Sequence, residues 1–354
     1  MTVVIASPPS SGILPAPSEQ AARFTSLPSV TASGVADPVT ANRAPADYAG
    51  FAYVYFASPD GRVEDDQKIY FAFSRDGLHW SDPVRSMTIS STIGERAVRD
   101  PFLMRRSDRD GFVLIGTDLD FNAPWYAKPD GGIDFAATVR RGSTGICVWE
   151  SDDLIHWSNE RIVDVASSVR AGNAWAPRAI WDGSRGAYLV YWSSCTPADD
   201  YAKQRIWAAW TRDFTTFGAP FVLVERDHAV IDAALCVRGG RIVMHIKNED
   251  DKYVYVETAD DLLGPYERLA NPALERFPGG FEGPTSCVLP DGRTLLMTDE
   301  YLPRWTGYRP FVTSDPLAED SYRALEPGEY RLPAGANHGS IVALTEAELA
   351  ALGQ

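Results

Sequence analysis

Apolar residues in this chain fall in short runs, not in long stripes. Ten of the runs come in pairs along the chain: "FAYVYFA" with "KIYFAFS", "GFVLIGTD" with "GICVWES", "AYLVYWSS" with "RIWAAWT", "RIVMHIK" with "YVYVET", and "TLLMTDE" with "RPFVTS". Each run is rich in Tyr, Val, Ile, Phe and Trp and is bounded by Gly, Asp or Asn, which predicts β-strands. Only "TEAELAALG", near the C-terminus, reads as an amphipathic helix. The strand–helix alternation of an α/β sheet is absent. The pattern predicts an all-β chain.

A second pattern punctuates the first. "SRDGLHWSDP" begins at Ser74, "SDDLIHWSNE" at Ser151, "TRDFTTFGAP" at Thr211, "TADDLLGPYE" at Thr258 and "TSDPLAEDSY" at Thr313. These five copies share Ser or Thr, any residue, Asp, a small or apolar step and an aromatic, and each follows one pair of strand runs. Repeats of this kind, roughly 45 to 80 residues apart, mark a repeated supersecondary unit. The Asp of each copy is expected to accept hydrogen bonds from local backbone N–H groups in a turn before an outer strand. Its recurrence is structural, not chemical.

Five strand-rich units predict a five-bladed β-propeller. The fifth inner strand is expected from the far end of the chain. "NHGSIVAL" follows the last blade and would complete the sheet begun by "FAYVYFA". Strands from both termini would then close the ring in one blade and remove exposed edges. Residues 1–45 are rich in Pro, Ser, Ala and Thr and read as a loose arm. Residues 46–354 read as a single propeller domain.

Composition narrows the partners. The chain has 354 residues, 11% of them aromatic, with ten Trp and fifteen Tyr, and a formal net charge of −15. The aromatics suit both β-structure and carbohydrate contact. An acidic surface argues against nucleic acid and anionic membrane as partners, because both reward Lys and Arg. Cys147, Cys195, Cys236 and Cys287 lie far apart with no C-x-x-C pair. They read as buried free thiols, not as a zinc or redox site. No run approaches the ~20 apolar residues of a membrane span. The N-terminus lacks a basic segment and is broken by Pro-Pro. That predicts a cytoplasmic protein, or a secreted one if a signal was removed before this sequence began.

The candidate chemistry stands at the heads of the inner strands. "RDPFLMR" gives Asp100, "WAPRAIW" gives Trp175 through Arg178, "VIDAALCV" gives Asp232, "FEGPTSCV" gives Glu282 and "NHGSIVAL" gives His338. In a propeller these strands line a central channel, and their heads converge at one mouth. Three carboxylates and a histidine would share a small space. Like charges held together raise at least one pKa, which keeps one carboxyl protonated as an acid while another stays ionised as a base. Singly, each residue also reads as a satisfied polar group at a turn. Their equivalent placement in successive blades argues for more.

The ordered set Asp-Pro, Trp-Ala-Pro, Ile-Asp, Glu-Gly-Pro, His-Gly-Ser resembles glycoside hydrolase family 43, from about residue 50 to the end. That resemblance implies a five-bladed enzyme that inverts anomeric configuration. It makes Asp100 the general base, Glu282 the general acid and Asp232 the carboxylate that tunes and orients the acid. It places Trp175, Phe281 and His338 at the sugar site, with Phe281 drying the site and raising the pKa of Glu282. It requires no cofactor but allows a structural calcium in the channel, near His338 and reached through water. The partner implied is an oligosaccharide or polysaccharide. The expected reaction is removal of a terminal furanosyl sugar, first an α-L-arabinofuranoside, with β-D-galactofuranoside and β-D-xyloside next. A non-catalytic carbohydrate-binding propeller, an interaction scaffold, a retaining hydrolase and a glycoside phosphorylase are the competing classes. Two positions depart from the family pattern: Arg178 stands where Glu is common and Asn337 where Arg is common. The segment 119–143 is expected to wall the site, with Trp125 and Tyr126 facing a sugar or packing the loop down.

Overall fold

The structure is a computed structural model that describes residues 47–57, 67–276, 280–303, 306–333 and 335–354. The arm expected over 1–45 lies outside these residues. The regular secondary structure of the described chain is almost entirely antiparallel strand. β1 (Tyr48–Ala57) and β2 (Ile69–Ser74) come first. A second set follows: β3 (Val98–Arg105), β4 (Phe112–Asp118), β5 (Gly145–Ser151) and β6 (Arg161–Asp164). The third is β7 (Trp175–Asp182), β8 (Ala187–Ser194), β9 (Arg205–Thr211) and β10 (Phe221–Val224). The fourth is β11 (Val230–Arg238), β12 (Arg241–Asn248), β13 (Tyr253–Ala259) and β14 (Glu267–Leu269). The fifth is β15 (Phe281–Val288), β16 (Thr294–Glu300), β17 (Gly307–Thr313) and β18 (Arg323–Ala324), after which β19 (Ala336–Thr345) returns to β1.

Each set is a simple meander, and together they form the five blades of a β-propeller. The innermost strands touch in the closed order β19, β3, β7, β11, β15 and back to β19. Blade one is shared between the chain ends, in the order β19-β1-β2. Among the described residues, its outer position holds an isolated bridge between Ile69 and Ile89.

The blades pack face to face, so both faces of most strands are buried. β2, β8 and β16 are apolar or buried along nearly their whole length. This is why the runs read as unbroken apolar stretches and not as an in/out alternation. One inter-blade core joins Phe102, Val113 and Val148 of blade two to Tyr188, Trp192 and Trp207 of blade three.

The repeated Asp residues do cap turns. Oδ1 of Asp76, Asp153 and Asp213 each accepts two backbone N–H bonds at 2.7–2.8 Å. In the fourth copy the role slips one residue, to Asp261, which accepts from Leu263. Asp260 instead meets Arg241 at the surface. The C-terminal helix spans Glu346–Ala351, and Thr345 and Glu348 form a reciprocal capping box at its start.

Ring closure by β19 generates a prediction. Truncation after Pro333 removes the strand that pairs with β1 over Tyr48–Ala57. It also uncovers the buried Phe51 and Tyr53. The expected outcome is loss of a cooperative thermal transition and of near-UV circular dichroism. A truncated chain that melts like the full one would contradict closure through β19.

Candidate active site

Four inner strands carry the same irregularity near their heads. The ladder slips by one residue between Arg99 and Phe102 on β3, Trp175 and Arg178 on β7, Ile231 and Ala234 on β11, and Glu282 and Thr285 on β15. β19 slips likewise between Ala336 and Gly339. These are β-bulges, which bend a strand and re-aim its side chains. The bulged residues Asp100, Ala176, Asp232 and Gly283 have φ of +49°, +47°, +55° and +55°. Three of the four are not glycine, so the fold holds them in a sparsely populated conformation. Gly283 is required for space as well. A Cβ there would lie 2.3 Å from Cδ2 of His338.

A bulge peels backbone N–H groups off the ladder, and the preceding blade supplies partners for them. Four polar residues sit on the second strands, one rung before the slip: Thr117, Ser193, Lys247 and Asp299 pair with Arg99, Trp175, Ile231 and Glu282, and the first two take up released N–H groups. Thr117 Oγ1 accepts from the Ala176 N–H at 2.8 Å and donates to Asp100 Oδ2 at 2.7 Å. Ser193 Oγ accepts from the Asp232 N–H at 3.1 Å. Lys247 Nζ donates to Glu282 Oε2 at 2.7 Å. Asp299 Oδ2 lies 3.3 Å from His338 Nε2. Apart from the Thr117–Asp100 bond within blade two, each contact runs from one blade to the head of the next blade's inner strand. None of the four residues was singled out from sequence. The available signal was a polar residue ending an apolar run, as in "RIVMHIK" and "TLLMTDE".

Asp100, Asp232, Glu282 and His338 are brought together. The His338 imidazole stands between two carboxylates, with Nδ1 3.0 Å from Asp100 Oδ1 and Nε2 3.2 Å from Glu282 Oε1. Asp232 Oδ2 accepts from the Gly283 N–H at 3.0 Å, which places it beside Glu282. Tyr308 ties the same corner: its hydroxyl donates to the Gly283 carbonyl at 2.7 Å and accepts from the Gly339 N–H at 2.9 Å.

The electrostatics differ from the expectation. Burial pushes the Asp232 carboxyl up to about 6, opposed by His338 and reinforced by the charges of Glu282 and Asp100. Burial acts upward on Glu282 as well, but Lys247 and His338 overrule it and hold the carboxyl well below the usual range. Asp100 is likewise pushed up by burial, yet the bond and charge of His338 bring it below its ordinary value. Burial lowers His338, but its bonds to Asp100 and Glu282 win and raise it well above the ordinary histidine value. The raised carboxyl is therefore Asp232, not Glu282.

Phe281 does not produce the expected drying. It is fully buried, and its ring meets Phe311 edge-on at 5.5 Å, away from the channel. Neighbours on a strand face opposite sides, so with Glu282 toward the channel Phe281 turns into the inter-blade core. What faces Glu282 is the ammonium of Lys247, also 2.6 Å from Glu249 Oε2. Trp175 is half-buried at the head of β7, against a small core of Leu119, Ala123, Tyr126 and Ala137. Arg178 is buried and donates to the Gly339 carbonyl at 3.2 Å, linking blades three and one. Asn337 Oδ1 accepts from the His338 N–H at 3.1 Å. In the loop, Tyr126 is the packed ring and donates to Glu95 at 2.6 Å, while Trp125 is exposed. The four cysteines are free thiols.

Asp232, Glu282 and His338 present ligand atoms within 4.8 Å of one another, a grouping able to hold a metal ion. Calcium takes six to eight oxygen ligands. Here one donor is a nitrogen, on a ring already set against carboxylates through both nitrogens and carrying a proton. Lys247 supplies a second fixed positive charge. The residues present do not fit a calcium bound directly to His338. Among the described residues no helix is long and apolar enough to cross a membrane.

Comparison with known proteins adds three findings. Residues 46–350 match the model of a glycosyl hydrolase 43-related family, described as a probable glycosyl hydrolase domain. An α-L-arabinofuranosidase of Bifidobacterium longum subsp. longum is 27% identical over 265 residues, which is 61% of this chain. The match spans only 23% of that protein's length. Among solved structures, a GH43 β-1,3-galactosidase in complex with galactodeoxynojirimycin superposes with a TM-score of 0.50 at 14% identity, covering 83% of this chain and 93% of the other. A thermostable family-43 glycoside hydrolase gives 0.49 at 18%, covering 69% and 78%.

The geometry predicts two stability effects. Thr117→Val keeps the shape of a fully buried side chain but removes both its bonds, and is expected to cost about 1–3 kcal/mol in denaturant unfolding. An unchanged midpoint would mean the Ala176 N–H finds another partner. For Asp232, a folded pKa raised above the unfolded value makes the protonated form the stabilising one. That stability is present at low pH and is lost as pH rises through about 6. Asp232→Asn is therefore expected to raise the melting temperature relative to wild type well above pH 6, and to leave it unchanged in acid. The opposite ordering would show that the ionised carboxylate is the stabilising form, with a folded pKa below the unfolded value.

Proposed function

As this chain belongs to the glycosyl hydrolase 43-related family, we propose that it hydrolyses a glycosidic bond with inversion, releasing one terminal furanosyl sugar at a time. An α-L-arabinofuranoside is the first substrate to test, with β-D-galactofuranoside and β-D-xyloside after it. The observation that carries this reading is the imidazole of His338 set between Asp100 and Glu282 at 3.0 and 3.2 Å. A ring and two hydrogen-bond lengths separate the carboxylates. That supports a pair about 6.5–9.5 Å apart with room for water, over the direct approach of about 5–5.5 Å used by a covalent double displacement.

Asp100 is the base in this reading. His338 and Thr117 hold it ionised and fix both its oxygens, so it can take a proton from an attacking water. Glu282 is the acid. It must carry a proton when it meets the leaving oxygen, whereas in the free site it is His338, 3.2 Å away, and Asp232 whose proton affinities are raised. The alkaline limb of the pH profile, where the acid loses its proton, therefore belongs to the Asp232–Glu282–His338 group, not to one carboxyl. The raised carboxyl of Asp232 favours a second reading in which Asp232 itself is the acid. A phosphorylase is less well supported, because Lys247 is already taken up by Glu282 and Glu249. A purely binding propeller is less well supported because all three carboxylates are in place.

Leaving-group dependence separates the readings. Glu282→Gln is expected to lose about 100- to 10,000-fold on an unactivated oligosaccharide. It should keep measurable turnover of 4-nitrophenyl glycosides, whose leaving group needs little protonation. Asp100→Asn is expected to be inactive on both. If Asp232→Asn shows the leaving-group dependence and Glu282→Gln does not, the acid is Asp232. Wild-type rates in Asp100→Asn would remove the mechanism altogether. Release of a monosaccharide as the sole first product checks the chain-end action.

A further inference from the structure

Two of the most exposed large apolar side chains in the described structure lie on one segment, Trp125 at 54% and Phe135 at 58%. Single exposed apolar residues need no explanation, but a contiguous aromatic surface that reaches a site does. Phe135 is not isolated. Its ring meets Phe121 edge-on at 5.6 Å. The Arg99 guanidinium is sandwiched between Phe121, 4.4 Å from its centroid, and Phe56, at 4.0 Å. Phe56 meets the His338 ring at 5.7 Å. Arg99 is the chain neighbour of Asp100. A continuous line of rings therefore runs from the His338–Asp100 pair out to solvent at Phe135.

The segment is held rigidly. Asp120 accepts from Gln67, and the Phe121 N–H donates back to Gln67. Glu95 accepts from the Asp120 N–H and from the Tyr126 hydroxyl. The Asp134 N–H donates to the Tyr126 carbonyl at 2.6 Å, which locks the turn bearing Trp125 to the short helix that starts at Phe135. Beneath them, Leu119, Ala123, Tyr126 and Ala137 form a small core that packs on Trp175, at the head of β7. The exposed rings thus stand on a fixed platform at the channel mouth, beside blades two and three. They are presented, not left over from packing.

We propose that Trp125 and Phe135 form a sugar-binding rim that holds a neutral oligosaccharide outside the bond-cleaving pocket. Flat aromatic faces beside an arginine suit the apolar face and hydroxyls of a sugar ring. A chain with a net charge of −15 suits an uncharged glycan better than an acidic one. The rim rests on the reading of the site as a glycosidase but is tested apart from it. It makes a stretch of glycan, not a small glycoside, the preferred substrate.

The test is isothermal titration of arabinohexaose and xylohexaose into Glu282→Gln, alone and combined with Phe135→Ala or Trp125→Ala. It is paired with kinetics of the same rim substitutions in the otherwise wild-type chain. For the hexasaccharide that binds, Kd and KM are expected to rise about 3- to 10-fold per ring removed. The kcat and KM for the 4-nitrophenyl glycoside and the melting temperature should stay as in wild type, and Phe135→Tyr should retain affinity. Unchanged Kd in both alanine variants overturns the rim, as does failure of both hexasaccharides to bind. Equal losses on the hexasaccharide and the nitrophenyl glycoside overturn it too, by placing the rings in the cleaving pocket. Self-association that Phe135→Ala abolishes, with sugar affinity unchanged, would assign the surface to a second copy instead. Ring-dependent binding by a chain that cleaves neither substrate would keep the rim and remove the proposed hydrolysis.

Discussion

The site depends on a slip of one residue in each inner strand. Without it, alternating side chains at the strand heads would continue into the inter-blade packing or the ladder. With it, the backbone turns through a left-handed residue, and Asp100 and Asp232 swing into the channel. The conformation is unfavourable for a residue bearing a Cβ, so something must hold it. The hold comes from the neighbouring blade. Thr117 and Ser193 take up the N–H groups of Ala176 and Asp232, which the slips release. Backbone strain, blade order and carboxylate placement are thus one arrangement.

Charge is the second constraint. Asp100, Asp232, Glu282 and Asp299 converge in a space of low exposure, and carboxylates so placed repel one another. Two cations answer them from different blades. His338 arrives on the strand that closes the ring, and Lys247 on the second strand of blade four. Each touches Glu282, so this carboxyl stays ionised in the free site while Asp232, without a direct cation, titrates late. The ring must be closed before His338 can reach Asp100. Folding of the first and last strands together is therefore also assembly of the His338–Asp100 pair.

The surroundings of the site divide the aromatics by task. Phe281 and Tyr126 are buried and structural, and Phe56 and Phe121 clamp Arg99. Trp125 and Phe135 are left at the surface on a segment pinned by Gln67 and Glu95. The high aromatic content of the chain thus serves both the packing between blades and a surface beside the channel mouth.

Much of the fold was legible in the chain itself. Paired apolar runs and a turn motif repeated once per pair specify meandering blades, because a strand pair with its turn is a local unit. "NHGSIVAL" could be assigned to the first sheet because one inner strand was otherwise missing. Asp100, Asp232, Glu282 and His338 could be picked out because each opens an inner strand at an equivalent place. Lys247, Thr117, Ser193 and Asp299 could not, since each acts on the next blade and a strand-ending polar residue looks ordinary in its own run. The direction in which Phe281 points, and so the ionisation of Glu282, was also beyond local pattern. A one-residue slip reverses which neighbour faces the channel, and only the packed ring of blades decides where that slip falls and which charge comes to meet it.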